Sequence, residues 1–285
     1  MSDIALSASI RNNLLSLQGT TKLMDRTSGR LSTGKKVQSA TDDAVAFFQA
    51  KGLTDRANDL GERKDLMNQG IQSINTGIQG LNAVESILRQ MKGNVASAKS
   101  STADKRAELM KTFNSLAVQL NKLVGDATYQ GLNLIGGTNA NLRVQFSDKD
   151  TAFMQVDGVD VHASALMTAG GMASVQGSAL AGASWSAISA AVTRLRAIEA
   201  TLDTAISKVQ GIAERLGGNV AMMQTRVDFT SNYNNVLKSG SDLLTSADTS
   251  EESVNMVALN TRQQLGIQAL SSSNQAQQSV LSLFR

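Results

Sequence analysis

The sequence predicts a mainly α-helical protein: long antiparallel helical rods, terminal coiled-coil helices, and a small β-hairpin region. Three observations carry this reading. The 285 residues include no proline, where average usage would give about 14, so no ring stops or kinks a helix. Apolar residues at both chain ends follow heptad spacing. Helical periodicity yields to alternation only between about residues 129 and 184.

Taken in order, the first element is a heptad helix. Ile10, Leu14, Leu17, Thr21, Met24, Ser28 and Leu31 step by four and three, which places them in one seam. A break follows at "LSTGKKVQSATDD", where Gly34 can end one helix and Ser39 or Thr41 can cap the next. From about Asp55 a long stripe appears, Met67, Ile71, Ile74, Ile78 and Leu81, then Val84, Leu88, Met91, Val95 and Ala98. A rod over residues 57–99 would run on the order of 60 Å and needs neighbours along its length. A third helix begins near Asp104 and buries Leu109, Phe113, Leu116, Leu120 and Leu123, ending at Gly125.

Beyond Tyr129 the period changes. "NLRVQFSD" alternates Leu142, Val144 and Phe146, and in "FMQVDGVDVHA" the pair Asp157-Gly158 sits between short apolar runs. These read as strands with Asp157-Gly158 as a hairpin turn, flanked by turns at "LIGG" and "TAGG". A second long rod then runs from Ile188 through Val227. The last element steps through Met256, Asn260, Gln263, Ile267, Leu270, Asn274, Gln277, Leu281 and Phe284. Up-and-down rods bring the two ends together. The domains expected are therefore a terminal coiled-coil domain of residues 1–40 and 246–285, and a rod domain of 41–245 with its hairpin region at about 129–184. Buried Asn and Gln layers fix register and partner at a cost in stability. The terminal helices read as assembly elements that pair with each other and then with further copies.

Composition narrows the function. With no cysteine and one histidine, thiol chemistry and the H-E-x-x-H zinc motif have no residues to build them. No cofactor is implied: "GGTNANLR" lacks the spacing of a phosphate-binding loop and reads as a turn. His162 is expected on the solvent side of a strand, and Asp42-Asp43 as helix capping by charges that favour the macrodipole. Trp185 reads as a packing anchor. Net charge is only +3, with Lys and Arg scattered among Glu and Asp, which argues against nucleic acid as a partner. No apolar run approaches a membrane span, and the N-terminus lacks a cleavable signal pattern. Without proline no slow X-Pro isomerisation delays refolding.

Longer motifs carry a resemblance. "RLSTGKKVQSATDDAVAF", from Arg30 to Phe47, resembles the N-terminal signature of bacterial flagellins, and "NQAQQSVLSLFR", from Asn274 to Arg285, resembles the C-terminal one. "DATYQGLNLIGG" is similar to the family's turn from helix into hairpin. The wording "TRQQLGIQALSSSNQ" looks closest to alphaproteobacterial flagellins, in a short form with only the helical core domains.

The resemblance implies a structural subunit, not an enzyme, that self-polymerises into the flagellar filament. Paired terminal helices would form its inner tube, and the rods with the hairpin its outer one. It also implies type III export to the cell exterior, with an export chaperone, hook-associated junction proteins and a cap as partners. Expected polymerisation-seam residues are Ile10, Leu14, Leu17, Met24, Leu31, Ile267, Leu270, Leu281 and Phe284. In many flagellins the segment matching Arg89 to Ala96 is recognised by an innate-immune Toll-like receptor. The basic and leucine positions of that motif align with Gln90 and Asn94, and an acidic partner position with Thr112. All three depart from the pattern, so weak or absent recognition is expected. The alternatives are a hook–filament junction protein, which shares the terminal patterns, and a secreted coiled-coil stalk or adhesin, for which the middle region offers little head.

Overall fold

The computed structural model describes residues 8–147, 151–167 and 188–283. Six helices and two strands follow in the order α1 (Ala8–Thr33), α2 (Ala44–Lys99), α3 (Ala103–Asp126), β1 (Asn141–Gln145), β2 (Phe153–Asp157), α4 (Ala163–Met167), α5 (Ile188–Thr245) and α6 (Thr249–Leu283). The expected class holds: long helices dominate, with one small antiparallel sheet. The chain forms two compact units, one of residues 1–57 and 235–285, the other of Asn58–Asn234. Helices α2 and α5 contribute to both.

In the second unit, the stripe read from α2 is its core. Met67, Ile74, Leu81, Val84, Leu88, Met91 and Val95 are fully buried, together with Leu195, Leu202, Ala205 and Leu216 of α5. Helix α3 adds Met110, Phe113, Leu120 and Val124, while Leu109, Leu116 and Leu123 are partly buried against the same core. Burial of one such apolar side chain stabilises by about 1.5–3 kcal/mol, so this row dominates the unit's stability.

Polar side chains close the helix ends here. Arg106 is buried and turns back, its Nε donating to the Ala98 carbonyl (3.1 Å) and Nη2 to Ser101 (2.8 Å). It thereby satisfies carbonyls that the end of α2 leaves open, as a basic group at a helix C-terminus does. Asn133 does likewise for α3, its Nδ2 donating to the Val124 carbonyl at 2.7 Å.

The turn out of α3 has Gln130 and Gly131 at φ 50° and 81°, with Tyr129 and Leu132 exchanging two backbone hydrogen bonds of 2.9 Å. Two positive φ angles in sequence make a tight primed turn. Strands β1 and β2 then pair antiparallel, Asn141 opposite Asp157 and Gln145 opposite Phe153, with Val144, Met154 and Val156 on the buried face.

Two sequence expectations fail here. Asp157-Gly158 is not the hairpin turn; the reversal lies between Phe146 and Ala152, whose backbones bond at 2.7 Å. Past Gly158 the chain runs on beside residues 134–135 instead, Val159 donating to Leu134 (2.8 Å) and Val161 to Ile135 (3.1 Å). The reason is steric. A Cβ at Gly158 would lie 2.2 Å from the Ala140 carbonyl oxygen and 2.5 Å from that of Gly137, so this glycine admits a close backbone crossing. Nor is His162 on a solvent-facing strand: it is half-buried just before α4, its Nδ1 2.7 Å from Asp160 Oδ1. Partial burial opposes the Asp160 charge, but the His162 amide, its ring and the Lys208 charge outweigh it and lower the carboxyl's pKa. "TAGG" and Trp185 lie outside the described residues.

Candidate assembly interface

The first unit is organised by two loops. Gly34, at φ 68°, ends α1 with its amide on the Arg30 carbonyl at 2.8 Å, the left-handed helix stop that glycine favours. Beyond it the chain pairs with the connection between α5 and α6. Lys36 donates to the Thr245 carbonyl at 2.7 Å, and Ala247 to that of Gly34 at 2.9 Å.

The cap of α2 falls to the Asp42-Asp43 pair, as expected of it, and not to Ser39 or Thr41. Asp43 caps α2, its Oδ1 accepting from the Ala46 amide at 3.0 Å, because its short carboxylate stands one residue before the first turn. Asp42 faces backward. Its Oδ2 accepts from the amides of Gln38 and Ser39, both at 3.1 Å, and from the Ser39 hydroxyl. Those bonds, the Gln38 amide first, hold its carboxyl below the usual range. Asp248 caps α6 through the Ser250 amide at 2.8 Å.

Between these loops and the chain ends, α1 and α6 pack along each other in antiparallel fashion, Leu17 lying over Gly266 and Arg30 bonding Glu252. On α1 the least exposed positions are Ile10, Asn13, Leu17, Thr20, Met24, Thr27 and Leu31; on α6 they are Glu252, Met256, Leu259, Gln263, Gly266, Leu270 and Ser273. Both series alternate steps of three and four, the knob-and-hole period of a coiled coil.

The predicted seam residues therefore separate into two groups. Ile10 is buried, and Leu17, Met24, Leu31 and Leu270 are half-buried in this packed row. Leu14 and Ile267 are 42% and 55% exposed. They lie one step beyond the row, with Leu15, Leu23, Val254, Val257 and Leu265 also exposed. The side chain of Leu281 and the whole of Phe284 lie outside what the structure describes.

The alternate layers missed in the sequence are the polar ones, Thr20 and Thr27, for which Thr21 and Ser28 stood. Both are buried. Thr20 can be so because its hydroxyl donates to the Ser16 carbonyl of its own helix at 2.9 Å, leaving no orphaned polar group. Arg30 and Glu252 also went unnoticed; a charge pair so far apart in sequence leaves no local signal.

The receptor-motif positions lie in the other unit. Gln90 on α2 and Thr112 on α3 are exposed, and Asn94 is half-buried. One turn before Gln90, Glu85 accepts from Arg89 Nη2 at 2.5 Å and from Gln210 of α5 at 2.9 Å. These bonds, Arg89 first, lower its pKa.

A surface that offers apolar rows, small polar layers and helix caps is equipped to bind other helices. Among the described residues no group of three metal-ligating side chains gathers, and no described helix is long and apolar enough to cross a membrane.

Comparison with known proteins gives one consistent match. The family model for the bacterial flagellin N-terminal helical region matches residues 4–140, and that for the bacterial flagellin C-terminal helical region matches residues 198–284. The chain is 30% identical to flagellin FljO of Caulobacter vibrioides over 275 residues, covering 95% of this chain and 94% of that one. It is 29% identical to FljM of the same organism over 274 residues, with the same coverage. A flagellin of Brucella melitensis is 26% identical over the full length of both chains.

Proposed function

Because the chain belongs to the bacterial flagellin family, it is a structural subunit of the flagellar filament, and we propose that its copies polymerise through the outward side of the α1–α6 pair. The observation that carries this is the division of apolar residues between a packed row and an exposed set around it. The row is used between α1 and α6; outside it Leu14, Leu15, Leu23, Val254, Val257, Leu265 and Ile267 are exposed. Large apolar side chains on two adjoining helices are an interaction surface by default. A filament supplies the cover: each copy buries the exposed set of its neighbours, and the ends come to line the inner tube. The polar layers keep the α1–α6 pair weak enough to rearrange and specific enough to find one register.

In this reading the subunit reaches the cell exterior through a type III route, meets an export chaperone and assembles beneath a cap, beyond the hook-associated junction proteins. Its work is structural and not catalytic. Receptor recognition is weak, since Gln90, Asn94 and Thr112 each replace the residue type that the motif requires.

Seeded growth tests the proposal. Purified chain added to sheared filaments is followed by electron microscopy, alongside a chain lacking residues 274–285. Long filaments from the full chain alone support end-driven polymerisation. Rings, or no growth from either chain, would instead favour a junction protein.

A further inference from the structure

Strand β1 has an open edge, and a groove runs beside it. The Phe146 amide donates to the Ala152 carbonyl at 2.7 Å, and in an antiparallel pair such bonds recur at every second residue. Leu142 and Val144 therefore turn their N–H and C=O groups toward β2, while those of Arg143 and Gln145 point the other way. Among the described residues the sheet has two strands only, so no strand lies along that outer edge. Natural sheets blunt such edges with proline, a bulge or a cover; β1 has no proline, and its register with β2 is unbroken.

The edge borders a cavity of about 360 Å³, within the range of built binding sites. Leu66, Gly70 and Ser73 of α2 form one wall, and the 129–132 turn forms another. Gly70 keeps the helix close to the strand, since a Cβ there would stand 2.8 Å from Val144 Cγ2. All of these residues belong to the second compact unit. Two side chains define what the groove takes. Ser73 is 5% exposed, yet its hydroxyl has no hydrogen-bond partner, whereas buried polar groups are nearly always paired; a polar ligand would supply one. Arg143 is the one charged residue in the lining, its guanidinium set 4.0 Å over the Phe153 ring. With no acid in the wall, that charge is complementary to a carboxylate.

We propose that this groove binds a short, acidic, extended peptide of another protein, which joins β1 as an antiparallel third strand and sets a carboxylate against Arg143. The backbone dictates the extended form: a row of outward N–H and C=O groups along a strand is matched by another strand. Arg143 selects the acid. The site lies within a single subunit and does not depend on the filament reading.

The probe is a synthetic peptide with blocked ends and a fluorescent label, Thr-Val-Glu-Val-Glu-Val-Thr. It is titrated into unpolymerised full-length chain and followed by anisotropy and by amide exchange. One control peptide has Lys for both Glu; the other has both Glu nitrogens methylated, which removes the N–H groups that would face β1. Each control should bind at least about tenfold more weakly. In the complex, exchange at the Arg143 and Gln145 amides should slow at least about fivefold, while Val144, already bonded to β2, changes little. Arg143→Glu should reverse the preference and bind the Lys peptide better, which also shows that the variant is folded. If circular dichroism shows that variant unfolded, the methylated control and the exchange pattern decide alone. No binding of the Glu peptide at ~1 mM, equal binding of the methylated one, or slowed exchange away from β1 overturns the site. Self-association that Arg143→Glu abolishes, with no peptide bound, overturns it too and gives the edge to a second copy.

Discussion

Arg30 Nη1 donates to Glu252 Oε1 at 2.6 Å, a charged hydrogen bond between residues 222 positions apart that ties the last turn of α1 to the first turn of α6. Glu252 is almost fully buried, its side chain 9% exposed. Its acidic charge also sits where the α6 macrodipole favours one. Glu252→Ala leaves the guanidinium with no partner across the seam. It should cost about 1.5–3 kcal/mol, the range for a hydrogen bond to a charged group. Faster hydrogen exchange in α1, with exchange in α3 unchanged, is the expected readout. Unaltered exchange in α1 would show that the pair contributes nothing.

Two glycines of the terminal helices should respond in opposite directions to alanine. A Cβ on Gly266 would meet Leu17 Cδ1 at 2.7 Å, whereas one on Gly19 meets nothing within 4 Å. Gly266→Ala should destabilise the α1–α6 pair by about 1–3 kcal/mol through overpacking, partly relieved by Leu17→Ala. Gly19→Ala should stabilise it by about 0.5–1 kcal/mol through helix propensity. Thermal melts of five monomers decide both: four close a double-mutant cycle for the 17–266 pair, and the fifth is Gly19→Ala.

At Gly158 the obstacle is backbone, which cannot swing aside as Leu17 can. Gly158→Ala should cost at least about 3 kcal/mol and separate the segment 159–161 from residues 134–135. In urea denaturation the midpoint should fall; an unchanged midpoint would mean that the crossing relaxes freely.

Acidification should loosen the loop before α2 selectively. The Asp42 carboxyl titrates below its ordinary value of 3.8 because the folded loop gives it the Gln38 and Ser39 amides. A depressed carboxyl pKa contributes stability above the ordinary value, and that contribution disappears as pH falls through the folded one. Amide exchange at Gln38 and Ser39, corrected for intrinsic rates, should therefore accelerate below about pH 4. Asp42→Asn should show the loosened loop at neutral pH already.

Receptor recognition gives a gain-of-function prediction. The unaltered chain should activate Toll-like-receptor reporter cells weakly or not at all. The triple change Gln90→Arg, Asn94→Leu and Thr112→Glu should raise that response at least tenfold. Strong activation by the unaltered chain would end this reading.

Much of the architecture was decided by the sequence. The long helices follow from an absence of proline and a sustained apolar period, both short-range properties of the chain. The terminal motifs and the heptads, whose seven-residue skeleton is Ile10, Leu17, Met24 and Leu31, are legible in the same way. Tertiary structure decided whatever depends on a distant partner. A heptad skeleton permits its alternate layer at the third or the fourth residue. The more apolar choice, Leu14, lost to Asn13, Thr20 and Thr27 because the α1–α6 row receives small polar residues. Where the chain runs past Gly158 and which two charges meet across the seam were fixed by contacts up to 222 positions apart. No local pattern encodes those contacts, because their energy exists only when the distant segments are packed together.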